Sequence, residues 1–199
     1  MMIESARMLG GDTQGALMAG CALECIHVYS LIHDDLPCMD DDDLRRGKPT
    51  VHKAYDEAIA VLAGDGLLTH AFALMAHESV HPDPALRLRL VAELAAASGS
   101  DGMIGGQVTD ITVAEDARDT ALITRLQAMK TGALIRFAAQ AGGMIAGAEP
   151  HDRVALDRYA SALGLAFQIQ DDILDVEGDA ETVGKAVGKD ANLGKATFV

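Results

Sequence analysis

The segment His27–Arg46, HVYSLIHDDLPCMDDDDLRR, sets six aspartates (Asp34, Asp35, Asp40, Asp41, Asp42 and Asp43) behind an apolar run and in front of an arginine pair. Upstream, Leu17, Met18, Cys21, Cys25, Val28, Tyr29 and Ile32 recur at three- and four-residue intervals, the period of a helix that buries one face. Pro37 lacks an amide hydrogen and its ring clashes with a helical backbone, so the helix ends or bends there. The acidic run is therefore placed at a helix end. Carboxylates this dense repel one another unless water or cations separate them, and hard oxygen donors suit Mg²⁺, which shares its shell with phosphates. Arg45 and Arg46 supply donors for phosphate oxygens beside such a cation.

A solvated loop is the simpler reading of any acidic run. Against it stands a second cluster, Gln168-Ile169-Gln170-Asp171-Asp172-Ile173-Leu174-Asp175, far away in sequence and again inside an apolar helical pattern. There Asp171 and Asp175 are four residues apart, so a helix stacks them on one face about 6 Å apart, with Gln168 one turn earlier. Asp34 and Asp40 are six apart, about 120° from one another on a straight helix, and can share a metal only where the helix is distorted. Two acidic walls facing across a bundle would hold a few Mg²⁺ ions that clamp a diphosphate.

The 199 residues are 49% hydrophobic but only 4% aromatic, with no tryptophan, a composition of close-packed helices rather than sheets. The net charge of -14 disfavours nucleic acid or an anionic membrane surface as a partner, so any anion must be recognised locally. Cys21, Cys25 and Cys38 make an odd count without secreted-scaffold or zinc spacing, which points to reduced thiols. No basic, apolar signal pattern opens the chain, and no apolar run is expected to reach the roughly 20 residues of a bilayer span. A cytoplasmic protein is expected.

Further along, Asp12 or Thr13 is a plausible cap for the first long helix. Helical pattern follows over 51–80, interrupted near Gly64-Asp65-Gly66, then over 85–97, 102–113 and 120–145, with Gly142-Gly143 ending or loosening the last. Pro150 opens a helix running to about Val176. No alternating run is long enough for a sheet, so the expected fold is all-α, one domain over 1–199.

At these motifs the sequence resembles the trans-polyprenyl diphosphate synthases, and within them the bacterial farnesyl diphosphate synthases. HDDLPCMDDDDLRRG resembles the family's first aspartate-rich motif, Lys130-Thr131-Gly132 its lysine-threonine element, FQIQDDILD its second aspartate-rich motif, and GGQVTD, from Gly105 to Asp110, a further element. The resemblance implies an antiparallel helical bundle around a central cavity. It implies a Mg²⁺-dependent prenyltransferase of isoprenoid biosynthesis, usually homodimeric, joining an allylic diphosphate to isopentenyl diphosphate by ionisation, condensation and elimination. By position it implies Asp34, Asp40 and Asp171 as metal ligands, with Asp35 and Asp175 beside them. Arg45, Lys130 and Lys185 would hold the allylic diphosphate, Arg46 and His27 isopentenyl diphosphate. Thr131 and Gln168 would offer oxygens near the developing cation, and Lys195 would close over the site.

From the residues alone, His27 reads first as a packed core histidine, and Gln107 with Asp110 equally as a support for the metals or as a helix-surface pair. The family places a bulky product-shortening residue five before the first aspartate, where Tyr29 stands, which implies farnesyl diphosphate. A straight helical wheel sets Tyr29 about 140° from Asp34 and Ser30 nearer its line, so both are kept as candidates. The family also carries a Gly-Gly-Lys-Arg element upstream and further helices at both ends. Neither is in this sequence, where Arg7 is the only Lys or Arg before Asp34, and the expectation is a shortened stretch of a longer enzyme. The rivals are a class I terpene cyclase and a non-catalytic synthase subunit. A calcium buffer is disfavoured by the lack of EF-hand spacing.

Overall fold

Helix α2 (Thr13–Asp34) packs against the helices Met2–Met8, Glu57–Ala76 and Ala133–Ile145. Asp12 caps it, accepting from the amides of Gln14 at 2.9 Å and Gly15 at 3.2 Å, which satisfies two of the donors a helix start leaves open. Its inward face is Ala16, Ala19, Ala22, Ile26 and Tyr29, small residues until the last turns, so a neighbour can approach closely. The computed structural model describes residues 1–113 and 119–177.

Chain order is α1 (Met2–Met8), α2, a hairpin of β1 (Leu44–Arg45) and β2 (Lys48–Pro49), α3 (Val51–Ala54), α4 (Glu57–Ala76), α5 (Pro84–Ser98), α6 (Met103–Thr112), α7 (Thr120–Gln127), a π-turn (Ala128–Gly132), α8 (Ala133–Ile145) and α9 (Pro150–Glu177). The α2–α4 and α8–α9 pairs run antiparallel. Gly15 at the start of α2 abuts the Val80 carbonyl beyond the end of α4, while His33 near the end of α2 meets Gly64 and Val61 early in α4. Gly132 and Gly143 likewise pair with Gly164 and Leu156, so α8 and α9 are antiparallel. The shared core includes Ile26, Met75, Leu90, Leu94, Phe137 and Met144.

Three expectations are corrected. Helix α4 runs unbroken through Gly64-Asp65-Gly66, because a bare Cα at Gly64 admits the His33 ring. Helix α8 continues through Gly142-Gly143 to Ile145, and Gly142 is bare because α1 lies against it at the Met2 carbonyl and Ser5. The expected absence of sheet yields to the two-residue hairpin strands, where Arg46 (φ 52°) and Gly47 (φ 75°) form the positive-φ tip of a tight turn.

Among the described residues two helices reach bilayer-spanning length and hydropathy, α2 at a mean of 1.5 and α4 at 1.6, where none was expected. Both lend residues to the core, yet α4 also leaves Ile59, Val61 and Leu62 exposed.

Candidate functional site

The last turn of α2 ends at Asp34, capped by Asp35, before Pro37 is reached. Two carboxylates at a helix C-terminus add negative charge to its partially negative end, so they need cationic or donor partners. They find these in different directions. Asp35, 3% exposed, is gripped by Arg45, whose Nε and Nη2 donate to Oδ1 at 2.8 and 2.6 Å. Asp34 accepts from Gln107 Nε2 of α6 at 3.2 Å. Burial alone would lower the Arg45 pKa; the Asp35 hydrogen bond and the charges of Asp35, Asp42 and Asp34 more than reverse this and raise it.

The acidic loop then folds back. The Asp40 amide donates to the Asp34 carbonyl at 2.8 Å and the Asp42 amide to the Asp35 carbonyl at 3.2 Å, returning residue 40 to the side of residue 34. A straight helix cannot do this; leaving the helix at Asp34 can. Thr50 Oγ1 donates to the Asp42 carbonyl at 2.7 Å and His52 Nε2 bonds it at 3.2 Å, so α3 pins the loop from below.

From Asp34 a polar connection crosses three elements. Gln107 and Asp110 sit one turn apart on α6; Asp110, 7% exposed, accepts from Lys130 Nζ at 2.7 Å. Next to Lys130, Thr131 Oγ1 donates to Gln168 Oε1 of α9 at 3.2 Å, and Gln168 Nε2 donates to Asp172 Oδ1 at 3.0 Å. The first aspartate-rich segment is thus linked to the second through a glutamine, a lysine-aspartate pair and a threonine-glutamine pair. Glycines bring the helices near enough: a Cβ on Gly106 would lie 2.5 Å from the Lys130 nitrogen, and one on Gly164 3.4 Å from Gly132 Cα. Lys130 and Thr131 lie in the π-turn, a geometry that frequently marks functional positions.

The remaining predicted residues are distributed as follows. Asp40 and Asp171 are half-buried, Asp171 one turn beyond Gln168 on α9. His27 is half-buried on α2, and Ser30 donates to the His27 carbonyl at 2.9 Å, so its hydroxyl serves its own helix. Arg46 is exposed at the hairpin tip, pointing the arginine pair two ways. Tyr29 is 6% exposed, and its ring meets His33 edge-on, centroids 5.7 Å apart. Burial first, and the Asp34 charge second, push its phenol pKa upward. Asp175 lies on α9, while Lys185 and Lys195 fall outside the described residues.

Asp172, buried to 2%, is the residue sequence reasoning passed over. Its signal was the four-residue spacing from Gln168, which a helix turns into a side-chain contact. Gln107 and Asp110 resolve as partners of Asp34 and Lys130 rather than as a surface pair.

Among the described residues no group of three or more His, Cys, Asp or Glu side chains is gathered for a metal. The carboxylates of Asp34, Asp40 and Asp171 are hard oxygen donors of the kind Mg²⁺ takes one or two of, with water and substrate phosphates completing its shell. Gln107 Oε1 is buried without a hydrogen-bond partner among the described residues, an acceptor beside Asp34 left for a further donor. Burial, then Cys21 and Glu24, push the Cys25 pKa up, away from the thiolate that would bind a metal. A cavity of about 380 Å³ is lined by His81, Asp83, Leu86, Arg89 and Met144 among others. It lies near the start of α2, at the other end of that helix from Asp34.

This fold is that of the all-α isoprenyl synthases. A solved apo FPP/GFPP synthase from Zymomonas mobilis superposes with a TM-score of 0.83 at 52% identity, covering 89% of this chain and 65% of that one. A geranyltransferase from Helicobacter pylori, solved with magnesium and isoprenyl diphosphate, gives 0.84 at 37% identity, covering 94% and 61%. The polyprenyl synthetase family profile matches residues 1–199, and the chain belongs to that family. Farnesyl diphosphate synthase of Geobacillus stearothermophilus is 48% identical over all of this chain and 67% of its own length. Geranylgeranyl diphosphate synthase of Cyanophora paradoxa is 44% identical over all of this chain and 66% of its own. The chain spans about two-thirds of the length of such curated relatives.

Proposed function

We propose that the protein is a Mg²⁺-dependent prenyltransferase that condenses dimethylallyl or geranyl diphosphate with isopentenyl diphosphate, giving farnesyl diphosphate. The observation that carries this reading is the polar connection from Asp34 through Gln107, Asp110, Lys130 and Thr131 to Gln168. It sets a lysine ammonium and oriented oxygens between two acidic segments, an arrangement suited to a polyanion held by cations.

Ionisation of an allylic diphosphate separates a multiply charged anion from a carbocation, so opposite charge must already be in place. Mg²⁺, when bound, supplies Lewis-acid stabilisation of the departing diphosphate, and Asp34, Asp40 and Asp171 are the residues that would hold it. Lys130 shifts its ammonium toward the leaving group while Asp110 fixes where it starts. Arg45, oriented by Asp35, and Lys185 are proposed for the same diphosphate. Arg46 and His27 are proposed for the second substrate and Lys195 for closure. Gln168 donates through Nε2 to Asp172 and accepts at Oε1 from Thr131, which leaves each of the two oxygens a further lone pair for the developing cation. The isopentenyl double bond then attacks, and loss of a proton gives the new allylic double bond.

The farnesyl product is favoured over geranylgeranyl by Tyr29, a buried ring at the foot of the acidic turn. A cytoplasmic homodimer accompanies the proposal; for the dimer, the exposed Ile59 and Leu62, one turn apart on α4, offer apolar surface to a second copy. A terpene cyclase would use the same cations but release hydrocarbon. Incubation with Mg²⁺, geranyl diphosphate and isopentenyl diphosphate, followed by mass analysis, is expected to yield a linear diphosphate one isoprene unit longer. Cyclic hydrocarbon, or no product, would overturn the proposal.

A further inference from the structure

Tyr29 is buried to 6% exposure, yet its hydroxyl has no hydrogen-bond partner among the described residues. A hydroxyl in that position prefers a rotamer that reaches a partner or water, so something other than hydrogen bonding keeps the ring where it is. Besides the core residues it is buried among, the ring meets His33, one helical turn later, edge-on at 78°. His33 is itself held. Its Nε2–H donates to the Val61 carbonyl of α4 at 3.1 Å, which fixes the proton on Nε2, and the imidazole fills a notch where a Cβ on Gly64 would overlap the ring. Helix α4 keeps a glycine in its interior at a cost in helix propensity, and the ring of His33 occupies the space gained.

We propose that His33, seated in the Gly64 notch, is a positioning residue that holds Tyr29 in its buried rotamer and thereby sets product length. This rests on the prenyltransferase reading. His33 touches no reacting atom in this account; it acts through Tyr29, and α4 acts through His33. The consequence is that a position on a different helix, 35 residues from Tyr29 in sequence, controls how far the growing chain extends.

Two variants attack the latch from opposite sides. His33→Ala removes the ring that Tyr29 rests against. Gly64→Ala leaves His33 in the sequence but drives its imidazole out of the notch, and alanine favours the α4 helix, so this variant is expected to fold. Tyr29→Ala is the reference for an open floor. Product length is read by mass, and Tyr29 protection by nitration mapped on peptides, with the exposed Tyr55 and Tyr159 as internal controls. Wild type is expected to protect Tyr29 while Tyr55 and Tyr159 react. Both latch variants are expected to lose that protection and, like Tyr29→Ala, to make diphosphates one or more isoprene units longer than wild type. Longer product from Tyr29→Ala with unchanged length and protection in both latch variants would overturn the latch and leave the prenyltransferase reading standing. If wild type forms no condensed diphosphate, the prenyltransferase reading fails instead, and retained Tyr29 protection in both latch variants would still refute the role of His33.

Discussion

The Lys130 ammonium lies 2.7 Å from Asp110 Oδ2, joining the π-turn to α6 through a carboxylate whose side chain is only 6% exposed. Removing one partner of so enclosed a pair strands the other. Lys130→Met is therefore expected to destabilise the fold by about 3 kcal/mol, the range for breaking a buried pair. The double variant Lys130→Met/Asp110→Asn should regain most of that stability while binding of an allylic diphosphate stays lost. Urea denaturation with calorimetry checks both halves; recovered binding in the double variant would remove Lys130 from the diphosphate site.

Asp34→Ala and Asp171→Ala each delete a proposed metal ligand, and Asp34→Ala also strands Gln107 Nε2, so the loss of turnover should far exceed any loss of stability. Turnover is expected to fall by at least about 10²-fold in each, the scale for losing one preorganised electrostatic contact. Steady-state kinetics beside thermal unfolding tests this. Full activity in either variant would refute the ligand assignment.

The orphan hydroxyl of Tyr29 gives a stability test with a defined pH dependence. Tyr29→Phe removes an unsatisfied buried group and is expected to raise stability at neutral pH by about 1 kcal/mol. Because the folded phenol ionises above its ordinary value near 10, its stabilising contribution is intact below that pH and is lost as pH rises through the folded pKa. Tyr29→Phe should lack this alkaline component. Urea midpoints across alkaline pH are the measurement, and parallel curves for the two proteins would contradict it.

Gly106→Ala would push a methyl against the Lys130 backbone, where neither side can yield cheaply. Overpacking of this kind costs about 1–3 kcal/mol, and the shift should separate Lys130 from Asp110. Lower stability together with weaker diphosphate binding is expected; an unaffected variant would mean that the π-turn is not set by α6.

The helices were legible because their signals are local. Asp12 caps α2 as its side chain permits, and the apolar period gave the long helices their order. What sequence could not supply was contact between elements. Gly64 reads as a helix breaker in sequence and is a seat for His33 in space. Asp172 looks like one acid among several until Gln168 turns its amide onto it. The wheel sets Tyr29 and Asp34 apart on α2; what it could not supply is the edge-on contact of the Tyr29 ring with His33, or the seat His33 finds on α4. The Arg45 and Arg46 pair diverges only once the hairpin exists.

The central claim is that the two acidic segments hold Mg²⁺ and a diphosphate jointly and neither tightly alone. Calorimetric titration of an allylic diphosphate into the protein, with and without Mg²⁺, tests this most directly. Tight binding only when both are present is predicted, and lost in Asp34→Ala. Equal affinity in the presence of a chelator, or tight Mg²⁺ binding without diphosphate, would contradict it.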